Sequence, residues 1–246
     1  IVSNVPKEIC KLIEKLWPGP LTVVLKKSKK ISDVITSGLD SVAVRMPNND
    51  IALKLIKYST PIAAPSANKF TRVSPTRIEH ILKQFPSGID YIIDGGKTEL
   101  GIESTIIKYE NGEFYLLRKG SLCIEEIEDL ISKRLKKPNK KIRIPGSFKK
   151  HYSPLSEVLI VDDPKKIESD PQAAYIAFSK APSKKFKIVK ILSRNGDMRQ
   201  AASNLFDYLH QIEDAGVKRI YIEKVKEKGL GIAIMDRIRK AAGKGG

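Results

Sequence analysis

Apolar positions along the chain fall into short periodic blocks. Ile9, Leu12, Ile13 and Leu16 recur at helical spacing between Pro6 and Trp17. Pro6 suits a first turn, and Pro18-Gly19-Pro20 ends the helix. Strands are predicted over 21–25, 41–46, 62–64, 89–93, 104–109 and 113–117. The last two flank Asn111-Gly112, a pair that tolerates the positive φ of a type I′ hairpin turn. Helices are predicted over 50–58, 76–85 and 124–135. Strands and helices mix without strict βαβ alternation, which predicts an α/β domain of the α+β type on a mixed, twisted sheet.

From 136 to 156 the periodicity vanishes. Lys136-Lys137-Pro138-Asn139-Lys140-Lys141 is basic and cannot carry a helix past its proline. The stretch from Ile144 through Pro145-Gly146-Ser147-Phe148-Lys149-Lys150 to His151-Tyr152-Ser153-Pro154 reads as a polar, aromatic linker. Strands follow at 158–161, 174–178, 188–192 and 219–222, with helices at 197–212 and 232–241. That alternation predicts a smaller Rossmann-like domain with a mostly parallel sheet. The expected division is therefore 1–135, a linker at 136–156, and 157–246.

At 246 residues, 41% hydrophobic and 30% charged, the chain has the composition of a soluble globular protein of one large or two ordinary domains. No apolar run approaches the roughly 18 residues of a membrane span, and no signal-peptide pattern opens the chain. Cys10 and Cys123 form no CxxC pair, which argues against a zinc site or a disulfide framework and suits a reducing cytoplasm. The outlier is a net charge of +17, a field that attracts nucleotides and RNA. A Lys-rich solvated surface gives the same number, and the Lys-Lys pairs rarely alternate with aromatics.

Chemistry concentrates in Pro65-Ser66-Ala67-Asn68 and Ser74-Pro75-Thr76, where a short apolar run opens into hydroxyl and amide groups ahead of a helical pattern. A strand end feeding a helix N-terminus favours an anion, so this is a candidate nucleotide site. Arg45 lies in the apolar run Val42-Ala43-Val44-Arg45-Met46-Pro47; if half-buried, it needs an anionic partner such as a carboxylate. Ser104-Thr105 and Arg118 stand at other strand ends and could share that anion pocket. No P-loop, no Ser-His-Asp order and no metal cluster presents itself. His80, His151 and His210 are too scattered for a metal site, and the helical patterns make His80 and His210 surface or core-edge residues. Gly229-Leu230-Gly231 reads as a helix-capping turn before it reads as a cofactor loop, and Asp94-Gly95-Gly96 as a tight turn.

Several segments together resemble one family. They are Lys15-Leu16-Trp17-Pro18-Gly19-Pro20-Leu21-Thr22, Val42–Pro47, Ala64–Asn68, Ser74–Thr76, Glu103-Ser104-Thr105-Ile106, Leu117-Arg118-Lys119-Gly120, and Pro145-Gly146 through His151-Tyr152-Ser153-Pro154. In that order they resemble the Sua5/YciO/YrdC family, in its longer type with a linker and C-terminal domain; Gly229-Leu230-Gly231 with Asp236-Arg237 fits that type's end. The resemblance implies an L-threonylcarbamoyladenylate synthase. Such an enzyme joins L-threonine, bicarbonate and ATP, releases pyrophosphate, and supplies the intermediate for t6A at tRNA position 37. It implies that Arg45 clamps the threonine carboxylate, with Ser66 and Ser104 on the amino acid. Ser41, Asn68, Ser74 and Arg118 would line the ATP side, with Thr76 nearby and Tyr152 closing over as part of a lid. It assigns no covalent catalytic residue and no protein-ligated metal, Mg²⁺ being held by phosphates and water, and it implies possible tRNA and t6A-machinery partners.

Two departures go with it. The family's Lys-x-Arg-Pro-type motif and nearby His have no counterpart here, so the sequence as it stands is expected to be inactive or severely crippled. The linker reads Ser147-Phe148-Lys149 where the family has Met-Lys-Tyr. Two other functional classes compete. One is an RNA-binding module without synthase activity, favoured by the charge though poor in aromatics for stacking. The other is a carbamoyl-transfer domain of the kind used in hydrogenase maturation, which the linker and C-terminal domain disfavour.

Overall fold

The computed structural model describes residues 1–138 and 151–244. Seven α-helices and two four-stranded sheets are found among them. The helices are α1 (Lys7–Leu16), α2 (Asp33–Thr36), α3 (Asp50–Tyr58), α4 (Ile78–Gln84), α5 (Ile124–Ile131), α6 (Met198–Asp214) and α7 (Leu230–Ala241). The strands are β1 (Leu21–Lys26), β2 (Ser41–Val44), β3 (Thr105–Glu110), β4 (Glu113–Arg118), β5 (Glu157–Val161), β6 (Asp170–Ala177), β7 (Phe186–Ile191) and β8 (Arg219–Glu223). Contacts divide the chain into two compact units, Ile1–Pro65 with Glu103–Ile144, and Ser66–Ile102 with Pro145–Gly246.

The first unit holds a mixed sheet in the order β2-β1-β3-β4, with β1 and β3 parallel and the outer pairs antiparallel. Leu21, Val23 and Leu25 alternate onto one face of β1 and are buried with Ile9 and Leu12 of α1, Ile107, Phe114 and Ile127 of α5. Thr22 therefore points from the opposite face, a consequence of the two-residue period. Asn111 (φ 51°) and Gly112 (φ 79°) form the left-handed turn of the β3–β4 hairpin that their sequence demanded. Immediately past β4, a Cβ on Gly120 would come 2.2 Å from the Ser104 carbonyl carbon and from the Thr105 nitrogen. Only glycine lets the end of the hairpin lie against those backbone atoms.

The second unit is built on an all-parallel sheet, β5-β8-β6-β7. In β6, Ala173 to Ala177 are buried throughout, the continuous apolar run of a strand covered on both faces. Helix α6 lays Ala201, Ala202, Leu205, Phe206, Leu209 and Ile212 into the core, and α7 adds Ala233, Ile234, Met235 and Ile238. Among the described residues no helix is long and apolar enough to cross a membrane.

Some expectations need correction. Residues 62–64 and 89–93 form no strand, and Ile62, Tyr91 and Ile93 are exposed. Neither sheet gives those runs a hydrogen-bonding neighbour, and a strand without one is not stable in water. The helix expected over 76–85 is shorter, starting at Ile78 with no side-chain cap. Most of the expected linker, including Pro145-Gly146-Ser147-Phe148-Lys149, lies outside the described residues.

Candidate functional site

The first unit brings three of the expected site residues together. Ser104 is buried, and its hydroxyl lies 2.7 Å from that of Thr22. Arg118 forks onto the same residue: Nε donates to the Ser104 carbonyl and a terminal guanidinium nitrogen to its hydroxyl, both at 3.0 Å. The next residue, Thr105, is anchored with its hydroxyl donating to the Leu122 carbonyl at 2.7 Å. Arg45 follows β2 and donates through Nε to the Gly19 carbonyl at 3.0 Å, while the Gly19 N–H donates back to the Met46 carbonyl. Burial of its guanidinium, and then the neighbouring Arg118 cation, lower the Arg45 pKa; the group remains charged at any physiological pH. Two guanidiniums close enough to disfavour each other, beside a buried hydroxyl fixed by two partners, suit an anionic guest such as a carboxylate or phosphate.

Ser41 is not brought to that cluster. It pairs with Lys26 at one end of β2, whereas Arg45 lies past the other end, a span of about 13 Å at a strand's rise per residue.

In the second unit, Asn68 closes a turn: Nδ2 donates to the carbonyls of Lys69 (2.9 Å) and Arg72 (3.2 Å). Its Oδ1 is buried with no hydrogen-bond partner among the described residues. Ala67 (φ 51°) and Thr71 (φ 64°) hold left-handed conformations on either side, the latter unusual for a β-branched residue. Ser66 is exposed, Ser74 buried. These residues form a turn and do not stand at a strand end running into a helix N-terminus, so that part of the sequence reading is corrected. Thr76 is buried, and its N–H donates to Nδ1 of His80 at 3.1 Å. Tyr152 (φ 56°) is 1% exposed, its ring stacked on Phe206 at 5.3 Å with the Arg237 guanidinium 4.9 Å from its centroid.

His80 and His210 are also corrected: both are buried, and their rings stack with centroids 3.7 Å apart. Desolvation, and then the His210 ring, push the His80 pKa down to about 4. Desolvation likewise lowers that of His210. Among the described residues no group of three or more His, Cys, Asp or Glu could hold a metal ion.

Thr22 has no role predicted from the sequence, although it ends the stretch Trp17-Pro18-Gly19-Pro20-Leu21-Thr22. Its signal was a hydroxyl on the face of β1 opposite Leu21 and Val23.

Comparisons with known proteins follow the same lines. Residues 1–120 match the sequence model of the Sua5/YciO/YrdC family, described as "Telomere recombination". Residues 122–243 match one described as "Threonylcarbamoyl-AMP synthase, C-terminal domain". The chain is 42% identical to threonylcarbamoyl-AMP synthase of Pyrococcus abyssi over 99% of its own length and 76% of that protein. It is 35% identical to the Bacillus subtilis protein of that name, covering 99% and 75%. A crystal structure of P. abyssi Sua5 complexed with L-threonine superposes with a TM-score of 0.85 at 38% identity, again covering 99% of this chain and 76% of that one.

Proposed function

We propose that this chain, which belongs to the Sua5/YciO/YrdC family, is an L-threonylcarbamoyladenylate synthase, a nucleotidyltransferase that forms threonylcarbamoyl-AMP and pyrophosphate from L-threonine, bicarbonate and ATP. The threonine amine takes up bicarbonate with loss of water to give a carbamate. A carbamate oxygen then attacks the α-phosphate, and the bond to pyrophosphate breaks. Both steps need positioning and charge stabilisation and no covalent nucleophile.

The observation that carries this reading is the Arg118 fork on Ser104 next to Arg45. Arg45 takes the threonine carboxylate, and Ser104 and Ser66 contact the amino acid. Arg118 bonds to Ser104 yet belongs to the ATP side, so the pair marks where carbamate and α-phosphate meet. Ser41, some 13 Å along β2, suits a more distant part of an extended nucleotide. Asn68, through its unpartnered Oδ1, and Ser74 line the ATP side, with Thr76 behind them. Tyr152 is assigned to the lid over that side, which would shield a labile carbamate from water. Mg²⁺ would be held mainly by the phosphate oxygens of ATP and by water, and would supply neutralisation of phosphate charge there. The catalytic part extends to residue 135, the linker to 156 and the C-terminal domain from 157. The product feeds t6A synthesis on tRNA in the cytoplasm, and the charge of +17 favours direct contact with tRNA.

Pyrophosphate release from ATP by the full-length protein, with L-threonine or bicarbonate omitted in turn, tests the reading. Release that needs both supports it; release indifferent to threonine removes it.

A further inference from the structure

The segment 66–102, which carries Ser66, Asn68 and Ser74, is gripped by a ridge of α6 side chains. Asn204, Asp207, His210 and Glu213 recur every three residues along that helix, so each neighbours the next along a ridge that winds round it. Each meets a partner from the segment. Lys97 donates to Asn204 Oδ1 at 3.2 Å and pairs with Asp207 Oδ2 at 3.1 Å. Arg77 takes Asp207 with two nitrogens, at 2.9 and 3.3 Å. His210 Nε2–H donates to the Ser74 carbonyl at 3.1 Å, and Arg72 to Glu213 Oε1 at 2.6 Å. Lys83 reaches Glu213 Oε1 at 3.9 Å and pairs with the adjacent Asp214.

Asp207 is 2% exposed, so its carboxylate is a buried anchor rather than a surface ion pair. A buried charge held by two cations is costly to disturb, because removing one partner leaves the other desolvated. The contacts fall on both sides of the expected ATP residues: Arg72 follows the Asn68 turn, whose amide donates to the Arg72 carbonyl, and His210 holds Ser74 itself.

We propose that this ridge of α6 positions the nucleotide-binding segment, with Asp207 and His210 as positioning residues that act on ATP through Arg77, Lys97 and the Ser74 carbonyl. The inference rests on the synthase reading for its substrate and gives the C-terminal parallel-sheet layer a task in that reaction. It touches ATP and leaves the threonine clamp of Arg45 and Ser104 alone, so its signature is asymmetric between substrates.

The test is Asp207→Asn in the full-length protein, with ATP and L-threonine titrated separately and amide hydrogen exchange followed across 66–102. The expected result is an ATP KM raised about tenfold or more, the size of one lost charge-assisted bond. L-threonine KM stays within about twofold, exchange quickens in 66–102 but not in β6 or β8, and Asp207→Glu restores part of the loss. Lys97→Met, at a half-exposed position, gives a smaller version of the same pattern should Asp207→Asn fail to fold. Unchanged ATP KM with unchanged exchange in 66–102, or equal weakening of both substrates, overturns the proposal. Loss of threonine-dependent pyrophosphate release in the wild-type protein itself marks instead a failure of the synthase reading.

Discussion

Ser104 has one hydroxyl proton and two lone pairs to distribute. Arg118 uses one lone pair, and Thr22 either gives or takes the next bond, which leaves a single directed position on the hydroxyl. Thr22→Val keeps the shape and removes that constraint, so kcat/KM falls by about tenfold, the scale of one buried hydrogen bond, with the melting temperature nearly unchanged. If Arg45 clamps the threonine carboxylate as proposed, Arg45→Ala raises threonine KM about 100-fold while ATP KM moves little, as steady-state titration of each substrate checks. His80 gives a pH dependence with a definite sign. Its folded pKa of about 4 lies below the ordinary value near 6.5, because the fold buries the neutral ring against His210 and the Thr76 N–H. The unfolded chain binds the proton more readily, so stability is flat above pH 6.5 and falls as pH drops from 6.5 towards 4. Melting temperature against pH for wild type and His80→Asn checks this, the variant showing the shallower fall. Arg45, Ser104 and Arg118 were legible in the sequence because hydroxyls and arginines at strand ends stand out against apolar runs. The buried His80–His210 pair was not, because helical spacing alone does not say that rings 130 residues apart will stack.

At the scale of elements, alternation and turn chemistry carried most of the information. The Asn111-Gly112 hairpin, β1 with its apolar face, and the buried run in β6 all follow from local pattern. The failures at 62–64 and 89–93 share one cause. A short apolar run needs a neighbouring strand to satisfy its backbone, and nothing in local periodicity supplies that neighbour. Helix α3 shows the complementary limit: its apolar spacing marks the helix correctly, yet none of its residues is buried. Gly120 is the element-scale contact with the sharpest consequence. Its missing Cβ lets the end of β4 lie on the Ser104–Thr105 backbone, which holds the Arg118 fork in reach. Gly120→Ala forces those backbones apart, with an expected loss of about 3 kcal/mol in urea unfolding and a fall in activity larger than that of Thr22→Val.

For the whole molecule, a mixed sheet carries the guanidinium cluster and an all-parallel sheet carries the helix that grips 66–102. The two sheet types could be read from the change in alternation beyond the linker. The charge of +17 could be read too. Residues far apart in the chain, such as Thr22 and Ser104 or Ser74 and His210, could be associated only once the fold was known. On the proposed reading, a hydroxyl and two guanidiniums bring a threonine carbamate to the α-phosphate of ATP. Mass spectrometry of the adenylate formed from ¹³C-bicarbonate, L-threonine and ATP tests it most directly. The expected product is an AMP conjugate that carries both threonine and the ¹³C label, and that falls steeply in Arg45→Ala at threonine concentrations near the wild-type KM. An adenylate without the label, or one formed equally well without threonine, contradicts it.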